Sequence, residues 1–466
     1  MKRVARNFKY CIIGAGASGL AAAKNFRQHG IAFDCLEREP ELGGLWNQAT
    51  GAARVYKSTH MVSSKEFTWF EDYPMPEDYP LYPSHAQALA YLRDYAEHFG
   101  IMDAIEFETT VDSVTRDDQG WQVKVAGEDN PRRYAGVVIA NGHHEVPRLP
   151  ELPGRFDGDV MHSSRYRDPS QLAGKRVLVI GGGNSGCDVA VDAVHHAKSA
   201  IHSMRRGYYF LPRFLLGIPL DDVIDFVEFF RFPRWLRQRL YGLGHRLAVG
   251  PNWRYGLATP EHQILDTHPT VSAELPSLVA EGRLIVKPDI KEFSGRTVSF
   301  TDGSKADVDL VVCATGYRPH FPFIDKAHIV DDANCSKLHL NIFHPQWDDL
   351  FVVGLVNANG SMWRLADQQS KLVAGYLTAR RLGASRAEKL RKSIAERYGT
   401  ANVEHYLNSD RHRLEVDYFD YYRRLGRLIA KLKPVTRELM PPTAGKGDGL
   451  TAADDENVAV ESARAA

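Results

Sequence analysis

Two glycine-rich runs have the residue types and spacing of dinucleotide loops. The first, Gly14-Ala15-Gly16-Ala17-Ser18-Gly19, follows the apolar run Tyr10-Cys11-Ile12-Ile13. Gly14 suits a tight turn, Gly16 lets the backbone approach a pyrophosphate, and Gly19 lets a helix pack on a strand. A second strand-like run, IAFDCLE, ends at Glu37, whose carboxylate can accept a hydrogen bond from a ribose 2′-OH. An acid there suits an unphosphorylated ribose, as in FAD or NAD. Gly43 and Gly44, with Trp46, add a second backbone turn beside the same site. The second loop, Gly181-Gly182-Gly183-Asn184-Ser185-Gly186, follows Lys175–Ile180, and its next strand ends at Arg205 and Arg206 with no acid. Guanidinium groups grip a 2′-phosphate that a carboxylate would repel. The second loop therefore fits NADPH, with NADH left open. One acid-tipped and one arginine-tipped unit together point to a flavoprotein reduced by a pyridine nucleotide, with the flavin carrying the redox chemistry.

The elements around the loops must position them. LAAAKNFRQHG reads as a helix stopped by Gly30, and CDVAVDAVHHA as the helix after the second loop. GVVIANGHH and VDLVVCATGYRP each read as an apolar strand leaving a nucleotide fold, the first into Asn141-Gly142 and the second into Thr315-Gly316-Tyr317. NANGSMWRLADQQSKLVAGYL is expected to be a helix that closes the flavin site with its N-terminus. Residues 207–262, rich in Phe, Trp, Leu and Arg, allow a membrane-surface patch or a wall of the substrate channel. An inserted helical pair packed on the second domain is the preferred reading. Residues 441–466 are low in apolar content and are expected to be disordered. The fold class expected is α/β, with two dinucleotide-binding Rossmann-like domains and an NADPH domain inserted into a discontinuous FAD domain. The expected division is 1–165 and 312–440 for FAD and 166–311 for NADPH.

Composition narrows the function. The 466 residues are 44% hydrophobic, and 58 Lys and Arg balance 58 Asp and Glu. Nothing in that balance asks for nucleic acid. No signal peptide and no run of 18 apolar residues is read. The five cysteines, Cys11, Cys35, Cys187, Cys313 and Cys335, form no close pair. That points to a reducing, cytoplasmic compartment and excludes a thiol–disulfide reductase. No metal-ligand spacing is present.

Between the loops lies FDGDVMHSSRY, with Phe156, Gly158, His162 and Tyr166 spaced F-x-G-x-x-x-H-x-x-x-Y. With GAGASG, EREPELGGLW, GGGNSG, CATGY and YKSTHMVSSKEFTWFEDYPMPEDYP, this run resembles the class B flavin-dependent monooxygenases, in particular the flavin-containing monooxygenase group. The likeness covers about residues 8–380. It implies FAD and NADPH as cofactors, dioxygen and a small molecule as substrates, and oxygen transfer through a C4a-hydroperoxyflavin to an amine nitrogen or sulfur. It also implies that His162 and Tyr166 help seat the two domains and the nicotinamide. The related Baeyer–Villiger enzymes end this run in tryptophan, so Tyr166 favours heteroatom oxygenation. Val62 falls where many members carry an asparagine near the flavin, a departure that bears on how oxygen is held.

Val62, His162 and Tyr166 are thus the expected catalytic positions. Cofactor contacts are expected at Gly14, Gly16, Ser18, Gly19, Glu37, Arg38, Gly44, Leu45, Trp46, Ser63, Val111, Asn141, Gly181, Gly183, Asn184, Ser185, Gly186, Arg205, Arg206, Thr315, Gly316, Tyr317 and Gln369. A ketone (Baeyer–Villiger) monooxygenase, a peroxide-producing NAD(P)H oxidase and a flavin sensor without turnover are the competing functions. A peripheral membrane contact and a homodimer stay open.

Overall fold

Two five-stranded parallel sheets arise from the apolar runs. In chain order their strands are β1 (Tyr10–Ile13), β2 (Phe33–Leu36), β3 (Ile105–Glu106), β4 (Gly136–Ile139), β5 (Asp159–His162), β6 (Arg176–Ile180), β7 (Ser199–Ser203), β8 (Leu284–Lys287), β9 (Leu310–Cys313) and β10 (Leu350–Val352). The first sheet has the order β10-β4-β1-β2-β3 and the second β5-β9-β6-β7-β8. Strands covered on both faces read as continuous apolar runs rather than alternating ones, and Cys11, Ile12 and Val137 to Ile139 are fully buried. Because β10 joins β4 only after the whole second sheet has passed, the first domain is discontinuous and the second is inserted in it. The computed structural model describes residues 8–268, 270–396 and 413–437. The tail expected to be disordered lies outside them.

The middle of FDGDVMHSSRY is an edge strand of the second sheet. Asp159 to His162 pair in parallel with Leu310 to Cys313, which puts this edge strand beyond the expected division at 165/166. A short 3-10 turn, Ser163–Arg165, then delivers Tyr166.

The helices used below are α1 (Ala17–Gln28), α2 (His85–His98), α3 (Asn184–His196), α4 (Leu220–Phe229), α5 (Arg234–Ala248), α6 (Met362–Arg381) and α7 (Tyr418–Arg437). Ser84 and Gln87 close a reciprocal capping box at the start of α2. Helix α6 packs between α1 and α7. At that seam the fully buried Lys24 bonds Asp367 at 2.8 Å and Asp72 at 2.7 Å, and Asp367 also takes Asn25 at 2.7 Å and Lys371 at 2.8 Å. Every charge there has a partner, and removing one would cost ~3–5 kcal/mol.

The 207–262 segment holds the expected helical pair, α4 and α5. Its inner side is fixed: Arg237 grips buried Glu228 with one guanidinium nitrogen at 2.7 and 2.8 Å and approaches Asp417 at 3.6 Å. Its outer side is not packed. Phe226, Phe229, Trp235, Leu243, Leu247 and Trp253 are more than half exposed. Among the described residues no helix is long and apolar enough to cross a membrane, and no His, Cys, Asp or Glu group could hold a metal. No disulfide joins any of the five cysteines.

Candidate active site

Both glycine loops use one steric device. A Cβ on Gly19 would stand 1.8 Å from the carbonyl oxygen of Gly14, and one on Gly186 would stand 1.8 Å from that of Gly181. The third glycine of each loop is therefore required by the fold itself. The first, Gly14 at φ +102° and Gly181 at φ +115°, lies where side chains are disfavoured. Helices α1 and α3 start at Gly16 and Gly183 with no side-chain cap. Their first amides, which have no intrahelical partner, thus face the loops and suit a pyrophosphate.

Gly16 differs from Gly19. A Cβ there would meet only the Cα of Gly44, at 3.6 Å, an ordinary contact. The protein alone does not forbid a side chain at Gly16, so that space fits a ligand. Gly44 sits against it, and Gly43 donates its N–H to Ala15 at 3.0 Å. Trp46 makes an edge contact with Trp363 of α6, and Leu45 accepts the Arg54 amide at 3.0 Å.

Glu37 is buried. One carboxylate oxygen takes the Ala15 N–H at 2.5 Å and the other the Glu39 N–H at 3.0 Å. Burial raises its pKa, and these two amides oppose the rise. A carboxylate offers about four lone-pair sites, so Glu37 can brace the loop and still receive a ribose hydroxyl. Arg38 pairs with Glu145 at 2.5 Å. The Ser18 hydroxyl lies against Gly354, whose N–H bonds the Oε1 of Gln369 at 2.8 Å. Gln369 is fully buried and gives its amide to Tyr421 at 2.8 Å, so its carboxamide supports the Gly354 turn instead of facing open space. The Val111 side chain packs in the core under the first sheet, which leaves only its backbone for a cofactor.

In the second unit, Asn184 accepts the Val271 N–H at 2.9 Å, and Ser185 is exposed. Arg205 is exposed at the end of β7, and Arg206 lies over the Tyr208 ring at 5.5 Å.

Between the loops, His162 is buried. Its Nδ1 accepts the Ser164 N–H at 3.0 Å and its Nε2 faces the Gly316 carbonyl at 3.1 Å. These partners place the proton on Nε2. Burial lowers the imidazole's pKa, against the opposing bond to Gly316. Tyr317 packs edge-on against His162 and carries Arg54 over its ring at 5.8 Å. Thr315 donates its hydroxyl to the Arg148 carbonyl, and Asn141 donates to the His320 carbonyl at 2.9 Å. Tyr166 is fully buried and donates its hydroxyl to Asp192 at 2.8 Å. Val62 is 41% exposed, and Ser63 is half-buried beside it.

A family profile described as flavin-binding monooxygenase-like matches residues 7–440. The chain belongs to this flavin-binding monooxygenase family. It is 34% identical over 455 residues to flavin-containing monooxygenase 5 of Rattus norvegicus, covering 90% of this chain and 82% of that protein. It is 33% identical over 389 residues to dimethylaniline monooxygenase [N-oxide-forming] 2 of Oryctolagus cuniculus, covering 78% of this chain and 72% of that one. S-allyl-L-cysteine S-oxygenase from Allium sativum has a similar fold, with a TM-score of 0.63, 24% identity and 97% of each chain covered. This flavin monooxygenase is thus an FAD-dependent enzyme that uses NADPH.

Several residues that shape the junction are not among those read from the sequence. Arg54, Tyr56, Ser58, Asp188 and Asp192 converge there. One signal was available: in CDVAVDAV two acids lie four apart in a stretch that is otherwise apolar.

Proposed function

We propose that this flavin monooxygenase oxygenates a soft, uncharged nucleophile, an amine nitrogen or a sulfur. The observation that carries the reading is the closed junction, where His162 is held between the Ser164 N–H and the Gly316 carbonyl and Tyr166 gives its hydroxyl to Asp192. Burial lowers the pKa of His143 and His162, and that of His144 falls well below the ordinary range. Neutral imidazoles suit a lone pair that accepts oxygen without first losing a proton. The N-oxide-forming relative supports the same substrate class, and so does tyrosine instead of tryptophan at 166.

FAD, reduced by NADPH, supplies the activated oxygen when bound. The chain's own residues do the rest. The amides after Gly16 and Gly183 hold the two pyrophosphates. Glu37 orients a ribose. His162 keeps its proton on Nε2 toward Gly316 and so fixes the loop that carries Tyr317. Trp46 and Trp363 wall off water. Val62 is the position assigned to the flavin's oxygen-bearing side.

The test is oxygen uptake with NADPH across amines, thioethers and ketones, with peroxide and products quantified. N-oxides or S-oxides should form in proportion to NADPH used. Lactone or ester products would assign the Baeyer–Villiger reading, and peroxide alone the oxidase.

Five cysteines without a disulfide among them support a cytoplasmic setting. The exposed aromatics of α4 and α5 lie among exposed Arg231, Arg239, Arg246 and Arg254, with Arg239 over Trp235 at 5.4 Å. That mix supports peripheral contact with an anionic membrane surface. Co-sedimentation with phosphatidylglycerol vesicles but not phosphatidylcholine vesicles is expected. Protein left in the supernatant at twice the monomer mass would assign the face to a homodimer.

A further inference from the structure

Helix α3, which starts at the second glycine loop, carries two carboxylates one turn apart, Asp188 and Asp192. Three hydroxyls from outside the helix converge on them. Tyr56 donates to Asp188 Oδ2 at 2.6 Å, Ser58 donates to Asp192 Oδ2 at 2.6 Å, and Tyr166 donates to the same oxygen at 2.8 Å. Tyr56 and Ser58 lie on the chain that follows Gly44 and Trp46 on the flavin side. Tyr166 follows the edge strand of the second sheet, after the turn at Ser163–Arg165. The rings of Tyr56 and Tyr166 touch, with centroids 5.2 Å apart. Tyr56, Tyr166 and Asp192 are buried, so these bonds form away from competing water and hold their geometry closely. Neighbouring backbone bonds follow the same seam: Lys57 N–H to the Arg167 carbonyl at 2.9 Å, and an Arg167 guanidinium N–H to the Ala53 carbonyl at 3.1 Å.

The geometry points to Asp188 and Asp192 as positioning residues, a two-carboxylate clasp that sets the angle of the NADPH domain against the flavin loop and so aims the nicotinamide at the flavin. Neither acid touches a reacting atom in this assignment. Each acts through the hydroxyls it receives. The clasp ties two separate pieces of chain to one helix face, and a displacement near 1 Å at a hydride-transfer geometry slows reaction by about 10²-fold. The two tyrosines are distinct in role: Tyr56 reports the flavin side and Tyr166 the second sheet, and each has its own carboxylate. This inference rests on the cofactor assignment of the two loops and on no particular substrate.

The test uses the FAD-loaded enzyme and removes hydroxyls only: Tyr56→Phe, Ser58→Ala, Tyr166→Phe and the Tyr56→Phe/Tyr166→Phe pair. Two readouts are taken. Anaerobic flavin bleaching by NADPH needs neither oxygen nor substrate, so a wrong substrate class leaves it untouched. Amide hydrogen exchange at Lys57 and Ser164 reports the seam without turnover. The double variant should retain FAD, bind NADP⁺ within about threefold of wild type, reduce flavin roughly tenfold or more slowly, and exchange both amides faster by a similar factor. Ser58→Ala and Tyr166→Phe, which share one oxygen, should combine to less than the product of their separate effects. Asp192→Asn, which keeps an acceptor, should restore most of the rate lost in Asp192→Ala. Wild-type bleaching together with wild-type exchange in the double variant overturns the clasp. So does a parallel loss of FAD and melting temperature with no change in bleaching by the loaded fraction, which would reduce the acids to packing. If the double variant does not fold, Ser58→Ala, the smallest deletion, carries the same two readouts.

Discussion

Gly16 and Gly19 look equivalent in sequence and should behave differently when replaced by alanine. At Gly19 the new Cβ would lie 1.8 Å from the Gly14 carbonyl oxygen, so the loop backbone must shift by roughly 1 Å. Backbone has no rotamer to yield, and the cost should be about 3 kcal/mol or more even without cofactor. At Gly16 the new Cβ meets nothing closer than 3.6 Å, and the residue has φ −76°, which alanine adopts freely. Removing glycine there restricts the unfolded chain and should leave FAD-free protein unchanged or more stable by up to ~1 kcal/mol. The penalty appears only when FAD binds, because the methyl occupies space reserved for the pyrophosphate. A loss of about 100-fold in FAD affinity, ~2.7 kcal/mol, is expected. The assay pairs thermal melting of the stripped proteins with the 450/280 nm absorbance ratio of the purified ones. Gly16→Ala should fold and emerge pale, and Gly19→Ala should emerge destabilised. A fully yellow Gly16→Ala, or equal destabilisation of both stripped variants, would falsify the division of labour between the two glycines.

Three further outcomes are expected. Arg205→Ala should raise KM for NADPH about tenfold or more and leave NADH nearly unchanged, since a charge-assisted bond is worth ~1.5–3 kcal/mol; equal losses for both would remove Arg205 as the phosphate reader in favour of Arg206. Val62→Asn should cut peroxide released per NADPH by roughly five- to tenfold, the effect of one bond of ~1–1.5 kcal/mol. Unchanged leakage would make Val62 plain packing. Asp188 has its pKa raised from 3.8 to about 6, chiefly by burial, against the Tyr56 bond and Arg213, with Asp192 adding to the rise and His60 lowering it. A raised carboxyl pKa stabilises the fold fully below about pH 4 and is lost as pH rises through 6, so Asp188→Asn should gain about 1–3 kcal/mol at pH 7.5 and nothing at pH 4. Identical melting of the two proteins at both pH values would refute this.

The parts of the fold that depend on neighbours in sequence were legible. The Tyr10–Ile13 strand, the glycines after it and Glu37 lie within one βαβ unit, where local periodicity and turn chemistry decide the structure. The cofactor pair followed from one acid and two arginines. FDGDVMHSSRY was harder, because a strand of four residues at a sheet edge shows no periodicity of its own; its partner, Leu310–Cys313, is far along the chain. Tyr166 was expected to help seat the two domains and the nicotinamide, but its partner Asp192 was not legible, because only tertiary packing creates that contact. Gln369 was read toward the flavin, but its bond to the Gly354 N–H was not foreseen, since one helix face cannot be told from another before its neighbours are known. For residues 207–262 a packed helical pair was preferred over a membrane-surface patch or a channel wall. Its apolar residues do not say whether their partner is the same protein.

The position of β10 also orders events during synthesis. Val137 has its neighbour Leu350 only after the whole second domain has left the ribosome. At ~5–20 residues per second that delay is about 10–40 s. The second sheet is contiguous from Asp159 to Cys313 and can close in the meantime. The nascent chain thus completes its inner domain first, while β4 waits with an unpaired apolar edge. That interval is when the flavin half is open to aggregation or chaperone capture. A chain stopped after Cys313 would carry a finished NADPH sheet beside a flavin sheet that lacks its last strand.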